Sequence, residues 1–99
     1  MYARVSSYTA PVSRLDEMAA DFEKVQDAVS SMDGFQGAYL LIDRASGKAK
    51  TVTLWSSAET LRASVERANQ LRQQVTSTTS TTIDSVENYE VASQFGLGG

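Results

Sequence analysis

The chain has 99 residues, 41% of them hydrophobic and 21% charged, with a formal net charge of −3 and neither cysteine nor histidine. A chain of this length makes one small domain around one core, expected over residues 1–93. Without cysteine there is no disulfide, thiol nucleophile or thiolate metal site. Without histidine the commonest neutral-pH base and transition-metal ligand are gone, and the negative balance argues against a nucleic-acid partner.

Tyr2 to Tyr8 is short, rich in valine and tyrosine and closed by Pro11, which predicts a first strand. The start, MYARVSSYTAP, lacks the apolar run of a secretion signal, and no segment approaches the ~20 apolar residues of a membrane span. A cytoplasmic protein without a membrane partner is expected. Ser13-Arg14-Leu15-Asp16 has the form of a capping box with a shortened acid. Leu15, Met18, Phe22, Val25, Val29 and Met32 then recur by three and four as one apolar stripe. Gly34 stands where a left-handed cap would close that helix.

Phe35 to Asp43 and Ala49 to Trp55 read as the second and third strands, joined through the polar Arg44–Lys48 as a hairpin. Ser56 followed by Glu59 predicts the capping box of a second helix, with Leu61, Val65, Ala68, Leu71 and Val75 as its stripe. Thr76 to Thr82 is all serine and threonine and reads as a loop. A last strand lies within Ile83 to Val91, where the opposite parity of Val86 and Tyr89 asks for a late start or a bulge. Gln94 to Gly99 reads as a flexible tail. This order predicts an α+β, ferredoxin-like split β-α-β repeat: a four-stranded antiparallel sheet with two helices on one face.

Strand side chains alternate between faces. Ala3, Val5 and Ser7, Ala38, Leu40 and Ile42, and Val52 and Leu54 form small aliphatic sets, expected beneath the helices. The other face then carries Arg4, Ser6, Tyr8, Phe35, Tyr39, Leu41, Thr51, Thr53 and Trp55, too aromatic for bulk water and too polar for a plain core. A second copy is expected to cover it. The resulting homodimer through the open sheet face would enclose a space lined by aromatics and hydroxyls, suited to a small molecule.

Four stretches carry a resemblance to a known family: MYARV at the start, MDGFQGAYLLID from Met32, TVTLWSSAETLRAS from Thr51, and NYEV from Asn88. Together they reach across nearly the whole chain and resemble the antibiotic biosynthesis monooxygenase domain family of the dimeric α+β barrel superfamily. The resemblance implies a homodimer whose sheets form a barrel, with a pocket in each subunit between sheet and helices or at the barrel wall. Some members of that family oxygenate electron-rich aromatics such as anthrones and quinols without metal or flavin. No cofactor and no metal are therefore expected. The chain departs from the family twice: Thr51 stands where quinone-forming members often have asparagine, and the histidine that holds iron in the haem-degrading branch is missing.

The expected substrate-binding residues are Trp55, Tyr39, Thr51, Thr53, Leu41 and Arg4, with Tyr39 and Arg4 as candidates for catalysis. Trp55 reads as a pocket wall, or else as a core or dimer-interface residue. Tyr39 would orient a substrate oxygen, or bond to backbone. Arg4 would stabilise an oxyanion, or pair with Glu87 or Asp43. A base would have to be a buried carboxylate such as Asp43 or Glu87, a tyrosine, or water. The expected function is a small-molecule-binding dimer resembling a cofactor-independent monooxygenase of aromatic or polyketide-like substrates. The alternative is a non-catalytic binding or structural dimer of the same fold.

Overall fold

A computed structural model describes residues 1–79 and 81–96. The strands are β1 (Tyr2–Thr9), β2 (Phe35–Asp43), β3 (Lys48–Trp55) and β4 (Thr82–Glu90). Each predicted helix is broken in two: α1 (Leu15–Lys24) and α2 (Gln26–Ser30) follow β1, and α3 (Ala58–Ala63) and α4 (Val65–Thr79) follow β3. The sheet is antiparallel throughout in the order β2-β3-β1-β4. Each helical connection therefore crosses over one neighbouring strand, which is the α+β split β-α-β arrangement that the element order predicts.

Along β1 and β3 the helices cover the residues expected on the open face, whereas in β2 Leu40 and Ile42 lie beneath the helices and Tyr39 and Leu41 on the open side, as expected. Arg4 pairs with Thr53, Ser6 with Thr51 and Tyr8 with Ala49, so these side chains share a face. That face is the buried one: Trp55 is 0% exposed, Arg4 4% and Tyr8 5%. Leu15 and Met18 of α1, with Leu61 and Leu71 of the second helical pair, are the buried helix residues above it. Met18 packs with Tyr8 and Ala49, flanked by Leu40 and Ile42 of β2. The uncovered face carries Val5, Val52 and Leu54, with Tyr39 at 52%, Leu41 at 50% and Tyr89 at 50% exposure. Strand parity sorts residues into two sets but does not say which set the helices meet. In β1 and β3 the longer, partly polar side chains fill the space beneath the helices, and the aliphatic Val5, Val52 and Leu54 face outward.

A bulge adds to the difference. The β2–β3 register shifts between Phe35 and Gly37, so Phe35 turns to the helix side with Trp55 while Tyr39 and Leu41 stay on the open side. In β4 a second shift, opposite Ser7 and Tyr8, is a bulge at Asp84; it precedes Val86 and Tyr89, which lie opposite Ser6 and Ala3 and so on different faces. Thr9 Oγ1 donates to Asp84 Oδ2 there at 2.6 Å.

The caps also move. The chain enters α1 through a 3-10 turn, Val12–Arg14, and no side chain caps α1, so Ser13 does not have the capping role expected of it. The second box is built on Ser57 and Thr60 instead of Ser56 and Glu59: Thr60 N donates to Ser57 Oγ at 3.1 Å, and Ser57 N to Thr60 Oγ1 at 3.3 Å. Gly34 has φ 77° and donates no side chain to a crowded spot, where an added Cβ would collide with Thr60. Its carbonyl accepts from Ser56 N at 2.8 Å, which ties the start of β2 to the start of α3.

The serine- and threonine-rich stretch expected as a loop from Thr76 is helical through Thr79, because it continues a helix already nucleated. Ser80 and the tail residues Leu97–Gly99 lie outside the described residues. No helix among the described residues is long and apolar enough to cross a membrane.

Candidate functional site

β1 and β3 lie side by side at the centre of the sheet, so alternate residues of each point up beneath the helices. Ser6, Tyr8, Thr51, Thr53 and Trp55 form the floor of a cavity there, with Arg4 at one end. Met18, Phe22, Val25, Val29 and Met32 of the first helical stripe wall one side, and Ala68, Leu71 and Arg72 of α4 the other. The cavity holds about 80 Å³.

Arg4 is fixed by the break between α3 and α4. Its Nη2 donates to the Leu61 carbonyl at 2.8 Å and to Ser64 Oγ at 2.9 Å, and Ser64 Oγ itself donates to the same carbonyl at 2.7 Å. At this helix end the Leu61 carbonyl accepts only a long bond of 3.3 Å from Ser64 N along the backbone turn, which leaves it room to receive a guanidinium. The Arg4 guanidinium lies 5.6 Å from the Trp55 ring centroid, a cation–π approach that partly replaces lost hydration. Phe35 meets the other side of that indole edge-on, with centroids 5.6 Å apart at 74°. Trp55 Nε1 donates to Thr53 Oγ1 at 2.9 Å, so the one polar atom of the ring is satisfied.

Electrostatically the site is positive. Burial lowers the Arg4 pKa, the nearby Arg72 lowers it further, and Tyr8 opposes both; the group still stays a cation. Arg4 pairs with neither Glu87 nor Asp43, and it has no carboxylate partner among the described residues. Glu87 sits across from Val5 on the open face, where its carboxylate accepts from Tyr89 OH at 2.7 Å. Asp43 closes the β2–β3 turn, accepting from Ala45 N and from Ser46 Oγ, each at 2.9 Å. Those bonds hold its pKa below the ordinary value. Neither carboxylate can act as a base at the cavity, and no other lines it among the described residues. Tyr8 OH, 3.5 Å from Thr51 Oγ1, is the one phenol on the cavity wall among the described residues. Among the described residues no three potential ligands come together to hold a metal ion.

Of the six residues expected to bind substrate, Arg4, Thr51, Thr53 and Trp55 come together in this cavity. Tyr39 and Leu41 do not: they stand on the opposite face of the sheet, so Tyr39 cannot reach an oxygen of a molecule held there. Ser64 and Arg72 escaped the sequence reading. The signal was present, since Leu61, Ser64, Ala68 and Leu71 step by three, four and three.

No family model matches the chain. It is 37% identical over 73 residues to the uncharacterised protein Rv2558 of Mycobacterium tuberculosis, a match covering 73% of this chain and 31% of that protein. The chain thus spans about a third of the length of this curated relative. Among solved structures, a proposed antibiotic biosynthesis monooxygenase from Deinococcus radiodurans superposes with a TM-score of 0.75 at 13% identity, covering 100% of both chains. The haem-degrading MhuD of Mycobacterium tuberculosis, with two haems bound in its active site, gives 0.75 at 23% identity over 97% of this chain and 100% of its own. SnoaB of Streptomyces nogalater, a cofactor-independent oxygenase, gives 0.73 at 12% identity over 96% of both chains. At these identities the likeness establishes a shared fold, the one implied by the resemblance read from the sequence.

Proposed function

We propose that the chain is a small-molecule-binding homodimer whose sheet–helix cavity takes an aromatic or polyketide-like substrate for cofactor-independent oxygenation. The observation that carries this is a mainly apolar cavity between sheet and helices, with hydroxyls on its floor and the buried cation Arg4 in its lining. The fold shared with SnoaB supports it. A reducing cytoplasm fits a chain without cysteine.

In such a reaction the substrate, once deprotonated, gives up its electrons to dioxygen. One oxygen atom enters the ring carbon as a carbonyl, and the other leaves as water with the two hydrogens that carbon loses. The protein binds the substrate, excludes water and holds the reacting carbon still. With no carboxylate among the residues lining the cavity, the substrate must be acidic enough to ionise in the field of Arg4 and Arg72 and lose its proton to water.

Haem is a poor substrate here. The chain has no histidine or cysteine to hold its iron, and the cavity of about 80 Å³ is far too small for it. The same volume favours the second reading, a structural dimer without catalysis, because pockets for drug-sized ligands run from about 300 Å³ upward. A larger cleft of about 330 Å³ lies on the far side of Phe22, Val25 and Val29, against β2. Both spaces share those three half-buried side chains and Thr53, so an outward shift of α1 and α2 would join them.

The chain has one tryptophan, so its fluorescence reports on this cavity alone. Titration with anthrones and naphthoquinols should quench it saturably, with oxygen uptake following for a true substrate. No response to any of them would leave the structural reading.

A further inference from the structure

We infer that the cavity recognises the oxyanion of a compact apolar molecule, a phenolate, enolate or carboxylate oxygen, and that Arg4 and Ser6 form its anion site. This rests on the reading of the cavity as a small-molecule site and names the class of molecule it takes.

Arg4 carries five N–H donors. Only Nη2 is used, on Leu61 and Ser64; Nε and Nη1 make no hydrogen bond among the described residues. No fully enclosed polar side-chain atom there lacks a partner. Nε and Nη1 are therefore not sealed off, and Arg4, itself 4% exposed, borders the cavity. Ser6, two residues along β1 on the same face and 2% exposed, repeats the pattern: its hydroxyl has no partner among the described residues and opens to the same space. Donors that open only onto a small, mainly apolar cavity are poorly hydrated, and a cation there without a counter-ion more so. Arg72 adds a second positive charge to the wall. A neutral ligand leaves these terms in place, whereas an oxyanion satisfies the free donors and the charge together by charge-assisted hydrogen bonds. The rest of the lining is apolar, which calls for a molecule with one charged oxygen on a hydrophobic body.

The test uses two single-ring probes of nearly equal shape: 4-nitrophenol, which ionises near neutral pH with a visible colour change, and 4-nitroanisole, its uncharged methyl ether. Wild-type protein should draw 4-nitrophenol into the coloured phenolate form saturably, and should bind the phenolate at least about tenfold more tightly than the ether. Arg4→Met should abolish that preference while retaining binding of the ether. Ser6→Ala, a smaller change with no loss of charge, should weaken the preference by a few fold, and decides the matter should Arg4→Met fail to fold. Equal binding of phenolate and ether overturns the oxyanion assignment and leaves the small-molecule reading standing. A preference unchanged in Ser6→Ala and in folded Arg4→Met also overturns it. Absence of binding by either probe overturns both.

Discussion

Trp55, at the end of β3, sits where the core meets the cavity. The indole is 0% exposed and packs between Phe35 and Arg4, yet it also lines the cavity. A ring of that size, with its N–H bonded to Thr53, contributes to stability whatever the cavity holds. Trp55→Phe should therefore lower unfolding free energy by about 1–3 kcal/mol in urea denaturation, since contacts and one buried bond are lost together. Stability unchanged by the substitution would mean that the ring is not packed as described. Ligand binding would fall as well, so this variant alone does not separate binder from structural dimer; Ser6→Ala does. Four site residues could be read from the sequence because they alternate along paired strands around one tryptophan. Ser64 and Arg72 could not, because a polar residue in a helical stripe reads as an interruption until its partner is known.

At the scale of elements, the hydrophobic period correctly located every strand and both helical regions. It erred where a single residue changes the register. The bulge after Phe35 puts Phe35 and Tyr39 on opposite faces despite their equal parity, and nothing in FQGAY marks it beyond one glycine. The β2–β3 turn offers a test of how elements are tied together. Arg44 Nη2 donates to Asp16 Oδ1 at 2.8 Å, linking the turn to the first turn of α1. The hydrogen bond from Arg44, and then its charge, hold the Asp16 pKa below the ordinary 3.8. A carboxylate depressed in the folded state stabilises it above its unfolded pKa and loses that contribution as pH falls through the lower folded value. The pair is fully exposed, so the effect on stability is small and salt-screened. Arg44→Ala should return the Asp16 titration, followed by the side-chain carboxyl carbon in NMR, to the ordinary range. An unshifted titration would show that the contact does not persist in solution.

For the whole molecule, the sheet separates two surfaces with different tasks. The helix side closes over the cavity, while the other side leaves Tyr39, Leu41 and Tyr89 each about half exposed beside Val5, Val52 and Leu54. An apolar sheet face of that extent on so short a chain suits an interaction surface, and in the proposed dimer a second copy meeting it about a two-fold axis would bury the same residues on both sides. The proposed dimer thus uses the face of Tyr39 and Leu41, as expected, but without Arg4, Tyr8, Thr51, Thr53 and Trp55, which lie on the helix side. It also follows that assembly and ligand binding can be broken independently. Leu41→Glu places a charge on that face twice in any two-fold arrangement, so light scattering at low micromolar concentration should show monomer where the wild type shows dimer. Trp55 lies on the other side of the sheet, so its emission and its response to ligand should survive in that monomer. Loss of the ligand response together with the dimer would instead mean that the partner subunit helps to shape the cavity. A wild-type protein that scatters as a monomer would remove the homodimer altogether and leave the open face for a different partner.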